Sequence, residues 1–296
     1  MRCLIIGADG SIGSALALAL GRRRHGVVTT TRRTEVARHG SIFLDLARPL
    51  PDLPEVEVAI ICAAMARLEE CRRDTELAQL VNVTAPLELG RSLVRVGARV
   101  ILLSTAAVFD GNTGHVEESA KPRPRSAYGQ LKAEAEARLL DLGSLVSVLR
   151  LTKVLTPNAG VLSQWIAQLG DSKTVRALSD RRLSPLTVAL TVDAITALIE
   201  NGEGGIYHAS GAADISYADA ARFVARGIGM ASDRVETVRA VAENETELMP
   251  FTSLATGRLS RLSGFVPPEP LSVLGDVYGR EMEAVRHVRA SRAPAV

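Results

Sequence analysis

Ser104 and Thr105 end an apolar run, Val100-Ile-Leu-Leu103, and Tyr128 and Lys132 stand four apart in Tyr128-Gly-Gln-Leu-Lys132. Residues four apart share one face of a helix, so this phenol and this ammonium address a single point. A free phenol titrates near ~10, and an adjacent ammonium favours its ionised form. A tyrosine so placed gives a proton to a carbonyl oxygen while hydride arrives at the carbon, or takes it back in reverse. A hydroxyl at the end of a strand, from Thr105 or Ser104, holds that oxygen in place. Tyr and Lys at this spacing also occur by chance on amphipathic helices, so the pair gains weight only beside a site for a hydride carrier.

The N-terminus supplies one. Gly7-Ala-Asp-Gly10-Ser-Ile-Gly13 follows a strand-like run and opens a helical stretch. Glycines at such a turn let the backbone approach a pyrophosphate, and the helix start offers free N–H groups to the anion. The spacing is G-x-x-G-x-x-G rather than G-x-G-x-x-G, and its position between strand and helix is the context the motif requires. A site for NAD carries an acid near the end of the second strand, to hold the ribose 2′-hydroxyl. Here that corner reads Thr30-Thr31-Arg32-Arg33. Two guanidiniums suit a 2′-phosphate, so the expected cofactor is NADP (NADPH), with NAD the less favoured alternative. Asp45 is a candidate acceptor for the adenine amino group. Ala63 and Ala64 are small enough to let a cofactor lie close.

The elements that must position these residues alternate along the first 155. Strands are expected at Arg2–Ile6, Val27–Thr31, Ile42–Leu46, Val56–Ala63, Arg99–Val108 and Leu145–Val154, and helices at Ile12–Arg24, Thr75–Val96 and Tyr128–Asp141. Such alternation implies an α/β fold, a Rossmann-type doubly wound parallel sheet. Asp110–Arg125, rich in Gly and Pro, reads as a long surface loop. Beyond 155 the pattern weakens to strands at Thr174–Leu178 and Gly205–Ala209 and helices at Thr191–Glu200, Tyr217–Arg226 and Leu271–Val288. The expected organisation is a dinucleotide-binding unit over 1–155. A smaller C-terminal substrate lobe over 156–296 is interleaved with the sheet edge.

Composition narrows the function. The 296 residues are 47% hydrophobic with a formal charge of +2, which excludes disorder as the main state and a strongly basic polyanion binder. Aromatics at 3% argue against a base-stacking nucleic-acid platform. Cys3, Cys62 and Cys71 give no disulfide framework, and the five histidines show no metal-ligand spacing, so no metal is expected. His115 and His208 read as loop and strand-end residues with local hydrogen bonds. The run before Gly7 is too short for a signal h-region, and no stretch of eighteen apolar residues follows. A cytoplasmic setting without a membrane partner is expected, and a second copy of the chain is the one protein partner considered.

The chain resembles the extended short-chain dehydrogenase/reductases of the NAD-dependent epimerase/dehydratase superfamily, and most of all the dTDP-4-dehydrorhamnose reductase branch. The resembling stretches are Leu4–Gly13, Val81-Asn-Val-Thr-Ala-Pro86, Leu103-Ser-Thr-Ala-Ala-Val-Phe-Asp-Gly111, Pro124–Glu136 and Leu149-Arg-Leu-Thr152, with weaker likeness at Ser184–Thr187 and Gly205–Gly211. It implies Thr105, aided by Ser104, with Tyr128 and Lys132 as catalytic residues, Lys132 also holding the nicotinamide ribose. It implies cofactor contacts from Gly7, Gly10, Ser11, Ile12, Gly13, Asp45, Leu46, Ala63, Ala64 and Asn82. Three positions depart from the family: Ala107 replaces a tyrosine, Lys153 a tryptophan, and Val116 a tyrosine before the acidic pair Glu117-Glu118. The resemblance implies a reductase acting on a keto group of a nucleotide-linked sugar or similar carbonyl compound. The alternatives are a sugar epimerase or dehydratase with tightly held NAD, and a non-catalytic NADP-binding regulatory subunit.

Overall fold

The apolar runs become strands because only a sheet covered on both sides removes both of their faces from water. A computed structural model describes residues 1–37, 40–240 and 249–292; His39 lies outside the described residues. The first six strands are β1 (Arg2–Ile6), β2 (Gly26–Thr31), β3 (Ile42–Phe43), β4 (Val58–Ile61), β5 (Arg99–Thr105) and β6 (Val146–Leu151). The later ones are β7 (Lys153–Leu155), β8 (Val175–Leu178), β9 (Arg182–Leu183), β10 (Pro185–Thr187), β11 (Gly205–Ala209), β12 (Ile215–Ser216) and β13 (Val235–Val238). Helices α1 (Ser11–Arg22), α2 (Thr34–Ala37), α3 (Leu68–Arg73), α4 (Thr75–Gln79), α5 (Ala85–Arg95) and α6 (Ala127–Leu140) fall in the first half. They are followed by α7 (Gly160–Gly170), α8 (Val188–Asn201), α9 (Tyr217–Gly227), α10 (Gly257–Ser263) and α11 (Pro270–Arg292).

The central sheet has seven strands in the order β11-β6-β5-β4-β1-β2-β3, every pair parallel. This is the Rossmann-type fold the alternation implies, with the order reversing beside β1. Alternate residues of β1 serve opposite faces: Cys3 and Ile5 pack with Leu16 and Leu20 of α1 and Ile195 of α8, while Leu4 and Ile6 pack with Leu89 of α5 and Leu139 of α6. A second core joins Trp165 and Leu169 of α7, Val224 of α9 and Tyr278 of α11. Residues 188–209 of the second half return to the sheet as α8 and β11. Side-chain caps fix several helix starts: Ser126 accepts from Gly129 N, Thr187 from Leu190 N and Ser216 from Asp219 N.

The differences from expectation have local causes. The single helix expected over Thr75–Val96 is broken by a π-helical turn at Leu80–Thr84. Pro86 has no N–H to give the carbonyl four residues back, and the widened turn takes up the loss. The strand expected to reach Val108 stops at Thr105, whose hydroxyl accepts from Ala107 N and caps a short 3₁₀ turn. The run expected as Leu145–Val154 divides at Thr152: β6 stays in the sheet and β7 leaves it to pair with β10. Ile42–Leu46 and Val56–Ala63 shorten to β3 and β4, and α3, α7, α10 and β13 carry no strong periodicity in the sequence.

Candidate active site

Three glycines shape the turn between β1 and α1, for different reasons. Gly7 sits at φ +91°, and a Cβ there would lie 2.8 Å from Ala63 N and Cβ; a Cβ on Gly13 would lie 2.4 Å from Gly7 O. Both positions are closed to other residues by the fold itself. Gly10 is not: a Cβ would meet only Gly7 O at 3.6 Å, an ordinary contact. Gly10 caps α1 without a side-chain hydrogen bond, Ser11 beside it is exposed, and no acid occupies the first turn. The first N–H groups of α1 are therefore left to an acceptor from outside the chain.

A cavity of about 220 Å³ opens at this turn, lined among others by Gly7, Gly10, Arg32, Asp45, Leu46 and Ala63. Of the two arginines only Arg32 lines it. Arg33 is turned onto Asp9, its Nη2 2.8 Å from Oδ1. The sequence places no acid at this corner, yet the glycine loop supplies one. Burial raises the Asp9 carboxyl, but hydrogen bonds from Arg33 and Thr31 outweigh it and hold the group below its ordinary value. Asp45 faces the cavity while its Oδ1 accepts from Ala47 N at 3.0 Å and its Oδ2 lies 3.6 Å from Arg48 Nε. Asn82 is 1% exposed and clamps Met65, accepting from its N and donating to its O, both at 3.0 Å. It shapes the loop after β4 rather than facing the cavity.

A second cavity, of about 470 Å³, adjoins the first: Cys62 and Ala64 line both. Ile12, Thr105 and Tyr128 also line it. β5 delivers Thr105 at its end, and the Ser126 cap starts α6 so that Tyr128 falls in its first turn. Gly129 lets that turn press on the 3₁₀ turn after β5, since a Cβ there would lie 2.1 Å from Ala107 O. Lys132, one turn on, is 2% exposed. Burial lowers its ammonium to about 8, opposed by the nearby Glu136. The Tyr128 phenol differs from expectation: burial pushes it up to about 12, with the neighbouring Cys71 adding to the rise. The Ser104 hydroxyl donates to the buried Glu136 carboxylate, whereas the Thr105 hydroxyl accepts from Ala107 N and keeps its own O–H to donate. His208 is fully buried, hydrogen-bonded to Ala255 O at 3.0 Å and to Arg150 at 3.3 Å. His115 N donates to Ser253 Oγ at 3.0 Å.

The second cavity continues into a third, of about 450 Å³, through the shared Lys153, Val154, Arg181, Leu183 and Tyr217. Trp165 meets Tyr217 edge to face with ring centroids 6.2 Å apart, and the Arg181 guanidinium lies 5.7 Å from the Tyr217 centroid. Lys153 is held below the usual lysine range, by burial first and by the charge of Arg181 second. Trp165, Arg181 and Tyr217 escape a sequence reading. The single tryptophan was the one available signal, and only the packing of α7 on α9 gives it a cavity to face.

The family model for the RmlD substrate binding domain matches residues 1–273. The chain is 28% identical over 287 residues to the dTDP-4-dehydrorhamnose reductase of Mycobacterium tuberculosis, covering 90% of this chain and 88% of that one. It is 27% identical over 270 residues to the dTDP-4-keto-6-deoxy-D-glucose reductase of Streptomyces niveus, covering 90% and 92%. The structure of a dTDP-4-dehydrorhamnose reductase from Bacillus anthracis in complex with NADP superposes with a TM-score of 0.76 at 20% identity, covering 94% of this chain and 98% of that one. A match that runs from the glycine turn through α6 and into the second core places this chain in the RmlD substrate-binding-domain family.

Proposed function

We propose that this protein is an NADPH-dependent reductase of a keto group on a nucleotide-linked sugar, of the kind its dTDP-sugar reductase relatives are named for. One observation carries the reading: the cavity holding Thr105 and Tyr128 meets the glycine-turn cavity on one side and a cation-lined aromatic cavity on the other. In this reading residues 1–155 hold the cofactor and 156–296 supply most of the substrate lobe.

The first cavity suits the adenosine and pyrophosphate end of a dinucleotide, with the second cavity for the nicotinamide end. Gly10 has space where a Cβ would stand, and the uncapped start of α1 offers donors for a pyrophosphate. Gly7, Gly13, Ser11 and Ile12 shape that cradle, Arg32 and Asp45 with Leu46 flank the adenosine end, and Ala63 and Ala64 leave the passage open. Lys132 would hold the nicotinamide ribose. Bound NADPH supplies the hydride.

The chain's own groups do the rest. The Thr105 hydroxyl donates to the carbonyl oxygen and fixes it beside Tyr128. A phenol near 12 is protonated at neutral pH and stands ready to give its proton to that oxygen as charge develops there. The charged Lys132 stabilises the phenolate left behind. Lys153 and Arg181 lie between the reacting end and the Trp165–Tyr217 cavity, where cations suit a diphosphate and aromatic rings suit a base. Tyr128 and Lys132 are both present, which disfavours the regulatory-subunit reading. No observation favours the epimerase or dehydratase reading.

The test is to mix protein, NADPH and a dTDP-4-keto-6-deoxy sugar and follow NADPH absorbance and the reduced sugar together. Consumption that requires the nucleotide part of the substrate is expected. NADPH binding without reduction of any nucleotide-linked keto-sugar would overturn the proposal.

A further inference from the structure

The corner between β2 and the glycine loop holds three charged side chains. Asp9 Oδ1 accepts from Arg33 Nη2 at 2.8 Å, and Asp9 Oδ2 accepts from the Thr31 hydroxyl at 2.7 Å and from Arg32 N at 3.4 Å. Thr31 in turn accepts from Arg33 N at 3.0 Å. Asp9 and Arg32 line the glycine-turn cavity, whereas Arg33 does not, its guanidinium held on Asp9 and its side chain 61% exposed. Asp9 thus offsets one of the two arginine charges, and Glu35 just beyond the corner acts on Arg33 as well.

The fold does not require that negative charge. Thr31 O–H and Arg32 N need an acceptor, which an amide oxygen provides as well as a carboxylate. What the carboxylate adds is its charge, and its side chain is 29% exposed. In a dinucleotide site the feature that meets such a corner is the adenosine ribose, with a 2′-hydroxyl or a 2′-phosphate.

We propose that Asp9 sets this protein's choice between phosphorylated and unphosphorylated dinucleotide, by holding Arg33 out of the cavity and facing the ribose 2′ position with negative charge. The proposal rests on the dinucleotide reading above. A carboxylate accepts from a 2′-hydroxyl and opposes a 2′-phosphate, so Asp9 works against Arg32, the cation among the described residues that lines this cavity and favours the phosphate. NADPH preference is then weaker than Arg32-Arg33 implies, and NADH is a usable cofactor.

The experiment is calorimetric titration of NADPH and NADH into wild type, Asp9→Asn, Arg33→Ala and the double variant. Asp9→Asn should bind NADPH roughly tenfold more tightly, the scale of one charge contact at a protein surface, and NADH no more tightly than wild type. Arg33→Ala should cost more NADPH affinity in the Asp9→Asn background than in wild type, because Arg33 is then released to the phosphate. Added salt should shrink the gain. Asp9→Ser also lacks the charge and keeps an acceptor, so it must change the cofactor ratio in the same direction. Unchanged or weaker NADPH binding in both Asp9 variants, with both cofactors still bound, would overturn the proposal while leaving the dinucleotide reading intact. A wild type that bound neither cofactor would remove both.

Discussion

Arg150 of β6 and Glu136 of α6 form an ion pair at 2.7 Å with both side chains almost fully buried, 1% and 2% exposed. Arg150 donates three hydrogen bonds to the carboxylate, Ser104 donates a fourth, and the guanidinium lies 5.0 Å from the Phe109 ring centroid. Glu136 stands two helical turns beyond Tyr128, so this pair clamps α6 to the two strands beneath it.

Breaking that pair from one side leaves a buried, uncompensated charge. Arg150→Met should lower stability by about 3–5 kcal/mol, read from chemical denaturation. Adding Glu136→Leu should restore part of it, because the orphaned carboxylate is gone. A loss below about 1 kcal/mol in the single variant, the size of an exposed pair, would show that the clamp does not carry stability.

Tyr128→Phe keeps the ring and removes the hydroxyl. Turnover should fall by roughly two to four orders of magnitude, the range for a lost general acid, while NADPH affinity barely changes. The measurement is single-turnover reduction with saturating cofactor. Near-normal turnover would remove Tyr128 from proton transfer.

Lys132 couples catalysis to stability. Its ammonium titrates at about 8 in the folded protein against an ordinary 10.5. Between those pH values the unfolded chain binds the extra proton, so this group makes stability rise with pH across that window, and its burial is a cost below it. Lys132→Met should therefore stabilise the protein at neutral pH, by on the order of 3 kcal/mol, while weakening cofactor binding and abolishing turnover. In wild type, turnover should decline as pH rises past about 8 and the ammonium is lost. A variant melting below wild type at neutral pH would contradict the burial cost.

Two glycines of the turn should part company. Gly10→Val has space within the fold, so it should melt like wild type and bind both dinucleotides more weakly. Gly13→Ala puts a methyl 2.4 Å from Gly7 O and should destabilise the protein before any ligand is added. Thermal melts with and without NADPH separate the two effects. Unchanged cofactor binding in Gly10→Val would make that glycine structural only.

The sequence by itself determined the sheet, the glycine turn and the spacing of Tyr128 and Lys132, because these are local: apolar runs, backbone freedom and helical periodicity act over a few residues. It also marks Ser104 and Thr105 as hydroxyls closing an apolar run, but it carries the strand on to Val108, and only the structure ends it at Thr105. What joins distant segments had to wait for the tertiary structure. Asp9 meets Arg33 across 24 positions, and Ser104 meets Glu136 across 32. One pairing brings an acid from the glycine loop to the corner after β2; the other gives Ser104 a buried partner. The raised Tyr128 and lowered Lys132 are equally tertiary, because desolvation depends on what packs over a group rather than on its neighbours in sequence. The Trp165–Tyr217 cavity exists only because α7 and α9 pack together in the second core, and side chains drawn from separate helices leave no motif to read.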